Sequence, residues 1–258
     1  MTAAPMPQIP LSDTGFLYGF GCFETVLVVN QKPVLLAEHF ERLSASLAFL
    51  DIPCPLSLAE FESALGQWST SEPAPTVVVN VYVTGGDRRI EKGRLQIGPP
   101  RVEGLARTFH KPAPQQLELR QDCWIRTATD AHKTLGYLRP IVEKQRTRLD
   151  DVVLVDANGW VQETTVSNLW FLQGGVAITP ESDVILPGTV RHWLLKTPGP
   201  LPCTSRPIHC DELGDMDEIF LTNAVGGIIP VAHVEGYAHL YSKAGTTTLA
   251  KFYEESLL

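Results

Sequence analysis

The chain has 258 residues, 44% hydrophobic and 19% charged, with a formal net charge of −8. That composition belongs to globular proteins and excludes the disordered and fibrous classes, and the length suffices for one large core or two modest ones. The acidic balance argues against a nucleic-acid partner, which needs a basic face, yet it leaves room for an anionic small molecule, because local charge can oppose net charge.

The longest apolar runs fall far short of the roughly 20 residues a membrane helix needs. The opening MTAAPMPQIP has no charged segment followed by an apolar one, so it does not read as a secretion signal. Cys22, Cys54, Cys123, Cys203 and Cys210 are odd in number and scattered, with no C-x-x-C pair. Reduced thiols in a cytoplasm are the reading they favour.

In chain order, residues 23–29 read as a strand and 30–33 as a turn. Leu36, Phe40, Leu43, Leu47 and Leu50 recur at spacings of three and four, which places them on one face of a helix closed by Pro53 and Pro55. Ser57 opens a second helix, with Glu60 completing a capping box and Phe61, Leu65 and Trp68 forming the apolar face. Residues 76–84 (TVVVNVYVT) are rich in β-branched side chains and predict a strand, with partners at 95–97 and 105–109. The polar, proline-bearing stretch 110–116 (HKPAPQQ) reads as a linker. It divides a smaller α+β domain, residues 1–109, from a larger α/β domain, residues 117–258.

The second domain opens with a strand near 124–126 and a helix that carries Pro140 in its first turn, where a missing N–H costs little. Residues 152–156 and 160–163 flank Ala157-Asn158-Gly159, and 168–172 and 176–178 flank Gln173-Gly174-Gly175, both hairpin signals. A short helix at 190–195 stops before Pro198, residues 218–221 form a strand, and 247–257 form a terminal helix. Strands and helices mixed with hairpins predict an α/β protein of two domains rather than one doubly wound sheet.

Histidines such as His39, His110 and His132 never pair at metal-ligand spacing. There is no G-x-G-x-x-G after a strand, no G-x-x-x-x-G-K-[ST], and no G-x-S-x-G elbow. What remains is an ordered series of local patterns: DTGFLYGFGCFET at 13–25, HFERL at 39–43, HKTLGYL at 132–138, GWVQETTVSNL at 159–169, ILPGTVR at 185–191 and FLTNA at 220–224, the last followed by IPV at 229–231.

In this order the series resembles the class IV aminotransferases, the fold-type-IV enzymes that use pyridoxal 5′-phosphate (PLP). They include branched-chain aminotransferases, D-amino-acid aminotransferases and aminodeoxychorismate lyases. The resemblance runs from about Asp13 to Val231 and implies a D-amino-acid-aminotransferase-like fold. It implies that Lys133 carries PLP as a Schiff base from the larger domain, and that Glu163 pairs with the pyridine nitrogen so that the ring accepts electrons. Arg42 matches the phosphate-binding arginine; alone on its helix it would read as a side chain snorkelling along an apolar face. Gly188, Thr189 and Val190 match a phosphate-binding turn at a helix N-terminus, where free N–H groups and the dipole favour anions. Thr222 matches a phosphate-binding hydroxyl and Tyr137 a partner of the cofactor's phenolic oxygen. Phe23, Arg88 and Arg89 fall where relatives shape the substrate pocket, and arginine suits a carboxylate because its planar fork makes two parallel hydrogen bonds. A homodimer with its active site near the interface is also implied.

Two departures stand out. Phe20 occupies the middle of Gly19-Phe20-Gly21, where the family usually has Asp, and the N-terminal strand of relatives is short or absent. After Thr222 the chain reads Asn223-Ala224-Val225-Gly226-Gly227-Ile228, without the Glu that branched-chain and D-amino-acid enzymes usually carry there. That favours a lyase converting 4-amino-4-deoxychorismate to 4-aminobenzoate and pyruvate. An aminotransferase acting on D-amino acids, branched-chain amino acids or chiral amines is the alternative. A non-catalytic PLP-binding homologue is a third reading, opposed by Lys133 and Glu163.

Overall fold

The computed structural model describes residues 8–96, 98–121, 126–237 and 243–257. They form two compact units, Met1–His110 with His132–Tyr137, and Lys111–Ala131 with Leu138–Leu258. No described helix is long and apolar enough to cross a membrane.

The first unit contains α1 (Thr14–Tyr18), β1 (Gly21–Val29), β2 (Lys32–Pro33), α2 (Leu36–Phe49), α3 (Leu58–Ser69), β3 (Thr76–Thr84), β4 (Arg89–Glu91), β5 (Arg94–Gln96) and β6 (Arg101–Thr108). One antiparallel sheet has the order β2-β1-β3-β6. Asn30 and Gln31 both take positive φ, 48° and 66°, which closes the β1–β2 turn. Alternation sends Val77, Val79, Val81 and Val83 into a core with Leu43, Leu47, Phe61 and Leu65 of the two helices. Ser57 and Glu60 make the reciprocal capping box, with the Glu60 carboxylate accepting from Ser57 N at 2.8 Å. The helix α2 ends with Leu50 as its cap and Asp51 at φ 55°, ahead of the two prolines.

The strand expected at 95–97 does not join this sheet. Lys92 and Gly93, at φ 50° and 76°, turn β5 back on β4 to form a separate hairpin, and residue 97 lies outside the described residues. The partner of β3 is β6, which includes 105–108.

The second unit contains β7 (Gln115–Gln121), a 3-10 turn (Ala128–Ala131), α4 (Leu138–Arg146), β8 (Asp151–Val155), β9 (Asn168–Gln173), β10 (Val176–Pro180), α5 (Thr189–Lys196), β11 (Cys203–Arg206), a second 3-10 turn (Cys210–Asp215), β12 (Glu218–Asn223), β13 (Gly227–Val234) and α6 (Ala244–Leu257). The sheet order is β11-β10-β9-β12-β13-β7-β8. The pairs β10–β11, β13–β7 and β7–β8 are parallel and the others antiparallel. The core gathers Leu117, Val153, Phe171, Ile208, Ile219 and Val231.

Two features of the expected division differ. Gln115 and Gln116 are not linker: backbone pairing with Val231 and His233 draws both into β7 despite their polarity. The strand expected near 124–126 falls mostly outside the described residues, and β7 ends at Gln121. The lysine segment was expected in the larger domain, but residues 132–137 pack in the first unit. Phe23 N donates to Lys133 O at 2.9 Å and Leu135 N to Gly21 O at 2.9 Å, so backbone bonds tie the segment to β1.

Candidate active site

Lys133 is held from both ends. Besides the bond from Phe23, its own N–H donates to Ser46 Oγ on α2 at 3.2 Å, and Cys22 bridges to Thr134. The Lys133 Nζ lies 4.4 Å from the Phe23 ring centroid and 5.7 Å from that of Tyr137. Those two rings meet edge-on at 5.3 Å, and Phe23 also stacks on Tyr82 at 6.3 Å. The aromatic walls restrict where the flexible lysine stem can carry its amine.

The helix α2 has a second face, distinct from the leucine face. His39, Arg42, Ser46 and Phe49 follow at spacings of three and four, so they share one stripe. Ser46 holds the Lys133 backbone, and Phe49 stacks on His132 at 4.1 Å. Burial pushes the His132 imidazole below its ordinary value. Arg42 is buried, and its Nε and Nη2 donate to Glu24 Oε1 and Oε2 at 2.8 and 2.6 Å. The Nδ1 of His39 lies 2.6 Å from the same Oε2. Burial would raise the Glu24 carboxyl, but Arg42 and His39 outweigh it and hold it at about 2.

In the second unit, Asn168 is the point of convergence. Its Nδ2 donates to Glu163 Oε2 at 3.2 Å and to Leu186 O at 2.9 Å, and in register it faces Thr222 across β9 and β12. Glu163 also accepts from Arg126 Nη1 at 2.7 Å. A Cβ on Gly188 would come within 1.9 Å of Asn168 Oδ1, so only glycine fits there. Gly188 is the N-cap of α5, and the first N–H groups of a helix have no partner within it. The Thr189 Oγ1 on that first turn is buried without a hydrogen-bond partner. Thr222 is buried and its hydroxyl accepts from Trp170 Nε1 at 3.1 Å.

The family model for amino-transferases of class IV matches residues 21–234. The chain belongs to the class IV aminotransferase family. Its curated relatives include D-alanine aminotransferase of Listeria monocytogenes, 25% identical over 267 residues that cover 97% of this chain and 91% of that one. Among solved structures, a protein of Legionella pneumophila called a "putative 4-amino-4-deoxychorismate lyase" superposes with TM-score 0.84 at 22% identity, covering 97% of this chain and 96% of the other. A hypothetical aminotransferase of Mycobacterium tuberculosis in its PLP-bound form superposes with TM-score 0.82 at 20% identity, covering 98% and 94%. Class IV aminotransferases are PLP-dependent, and this chain is an enzyme of that kind.

The residues present fit PLP. An orphaned hydroxyl on a glycine-capped helix end suits a phosphate oxygen, and a buried carboxylate suits a protonated ring nitrogen. The structure brings Glu163, Gly188, Thr189, Val190 and Thr222 together in the second unit; Val190 turns its side chain into the core, leaving its backbone for an anion. Lys133, Tyr137, Phe23 and Arg42 gather in the first. Arg88 and Arg89 are both exposed, and Arg88 Nη1 donates to the Tyr18 hydroxyl at 3.3 Å.

Phe20 packs against the first core and over Gly85, where a Cβ would meet its ring at 2.7 Å, so the residue that departs from the family pattern is a packing residue here. Arg126, Asn168 and Glu24 went unread in the sequence. Asn168, inside the GWVQETTVSNL pattern, and Glu24, inside DTGFLYGFGCFET, lay within motifs without being singled out, and Arg126 lay in none. His209, Cys210 and Asp211 are the one group of metal-ligand types that meet among the described residues. Both nitrogens of His209 are engaged there, Nε2 with Asn158 O at 2.9 Å and Nδ1 with Asp211 N at 3.3 Å.

Proposed function

We propose that this enzyme is a lyase that converts 4-amino-4-deoxychorismate to 4-aminobenzoate and pyruvate. The observation that carries the reading is the aromatic surround of the Lys133 amine, formed by Phe23 and Tyr137 with Tyr82 behind Phe23. Flat walls of this kind suit a six-membered ring more than a branched aliphatic chain. The turn after Thr222 supports it: Asn223 is spent on the backbone N–H groups of Val225 and Gly226, at 3.0 and 2.7 Å, and no carboxylate follows before β13.

PLP, when bound, supplies an electron sink for the pair left behind when a proton departs from the carbon bearing nitrogen. Lys133 removes that proton at Nζ. Glu163, braced by Arg126 and Asn168, would present its carboxylate to the ring nitrogen. The residues that would hold the phosphate are the first turn of α5 with the Thr189 and Thr222 hydroxyls in the second unit and, by its match to the family's arginine, Arg42 in the first, where Tyr137 would serve the phenolic oxygen. The enolpyruvyl group leaves as pyruvate, and the ring becomes aromatic, which balances the reaction without another reactant. Arg88 and Arg89 hold the substrate's carboxylates.

Transamination is the second reading, favoured because aminotransferases match this chain over nearly its whole length. It shares proton removal by Lys133, so only the products separate the two. One preparation is offered 4-amino-4-deoxychorismate and pyruvate is followed; it is then offered D-alanine or branched-chain amino acids with 2-oxoglutarate and glutamate is followed. Pyruvate with little glutamate supports the lyase, and rapid glutamate without pyruvate overturns it. We further propose a homodimer acting in the cytoplasm, the compartment that suits the four free cysteines described.

A further inference from the structure

We infer that Glu24 is the positioning residue for the phosphate-binding arginine, acting on the cofactor only through Arg42. This rests on the reading of Arg42 as a phosphate ligand.

Glu24 sits on the core face of β1, between Cys22 and Val26, and is fully excluded from solvent. A carboxylate there is costly. The joint between α2 and the sheet is otherwise made by apolar residues such as Leu43, Leu47, Val26 and Val28. Apolar residues of similar volume generally serve stability as well as a buried ion pair or better, so stability alone does not account for the charge.

What the carboxylate does uniquely is fix direction. Two parallel bonds, from Nε at 2.8 Å and Nη2 at 2.6 Å, set the plane of the Arg42 guanidinium and so the aim of its remaining N–H groups. His39, at 2.6 Å from Oε2 and one turn earlier on α2, locks the carboxylate in turn. The aim matters because Ser46, one turn beyond Arg42 on the same stripe, anchors the backbone of Lys133. Glu24 therefore ties the direction of the phosphate ligand to the place where the cofactor is attached.

The test compares binding of PLP and of pyridoxal, which lacks the phosphate, to apoprotein. Arg42→Gln should weaken PLP and spare pyridoxal. Glu24→Gln keeps the shape but loses the charge, and should raise the Kd for PLP roughly tenfold while moving that for pyridoxal less than about twofold. Glu24→Asp keeps the charge but shortens the reach, and should show a smaller loss of the same selectivity; it carries the test if the Gln variant does not fold. If Arg42→Gln is selective but both Glu24 variants weaken the two ligands equally, or tighten PLP, the positioning role is wrong and Glu24 is structural or merely neutralising. If Arg42→Gln shows no selectivity, the reading of Arg42 itself falls, whatever Glu24 does.

Discussion

At the scale of single residues, the orphaned Thr189 hydroxyl makes opposite demands on folding and binding. Buried without a partner, it costs the apoprotein roughly 1–3 kcal/mol. Thr189→Val removes that cost at nearly constant shape, so the apoprotein should melt higher while PLP binds more weakly. A variant that loses stability and keeps PLP affinity would remove Thr189 from the phosphate site. Glu163→Gln should retain PLP but lose much of the turnover, because a charge-assisted bond worth roughly 1.5–3 kcal/mol is replaced by a neutral one; wild-type rates in this variant exclude the role.

The buried triad also sets an acid limit. Glu24 is held at about 2 against an ordinary 4.5, so the folded state binds fewer protons than the unfolded one. Its contribution is present above about 4.5 and is lost as pH falls towards 2. Burial, the largest effect on His39, also lowers it from 6.5, so its share begins to fade on acidification below that value. Stability from thermal melts should therefore fall with pH in two stages, and Glu24→Gln should flatten the lower one. None of this was legible in the sequence: Glu24 sits in a motif but its partners are 15 and 18 residues away.

At the scale of elements, local rules sufficed where one signal was unopposed. The capping box at Ser57 and Glu60 and the β-branched strand at 76–84 both appear as expected, with β3 covering the same residues. Ser57→Ala should cost about 1 kcal/mol of stability, measured by denaturant unfolding, since it strips the cap acceptor of Glu60 N and the hydroxyl's own bond to the Glu60 carboxylate; no change would mean that α3 is held by packing alone. The reading of 95–97 as a sheet partner did not hold, because Lys92-Gly93 closes a tighter hairpin. Gln115 and Gln116 read as linker because side-chain polarity hides a backbone that pairs on the parallel strand β13.

At the scale of the whole molecule, Ile9, Leu11, Phe16, Tyr18 and Ile90 are all more than 40% exposed in the first unit. Association would cover exposed apolar side chains such as these, and a second copy of the chain is the partner we propose. Light scattering of dilute protein should give twice the 28.4 kDa of one chain, and Phe16→Asp should shift it towards monomer with loss of activity. A fully active monomer would refute the dimer.

The sequence by itself determined the family and its cofactor. Motifs that bind a cofactor are local: a lysine beside a fixed dipeptide, a Pro-Gly entry to a helix and a hairpin ending in Ser-Asn each carry their neighbours with them. Tertiary structure alone decided which side chains restrain those residues. Lys133 joins β1 rather than the sheet of the second unit because backbone pairing depends on spatial register. Arg126 on Glu163, Asn168 beside Gly188, and Glu24 beneath Arg42 are contacts between segments distant in the chain. Periodicity reports only which face of an element is buried; a charge buried among apolar residues declares its purpose only when its partners are in place.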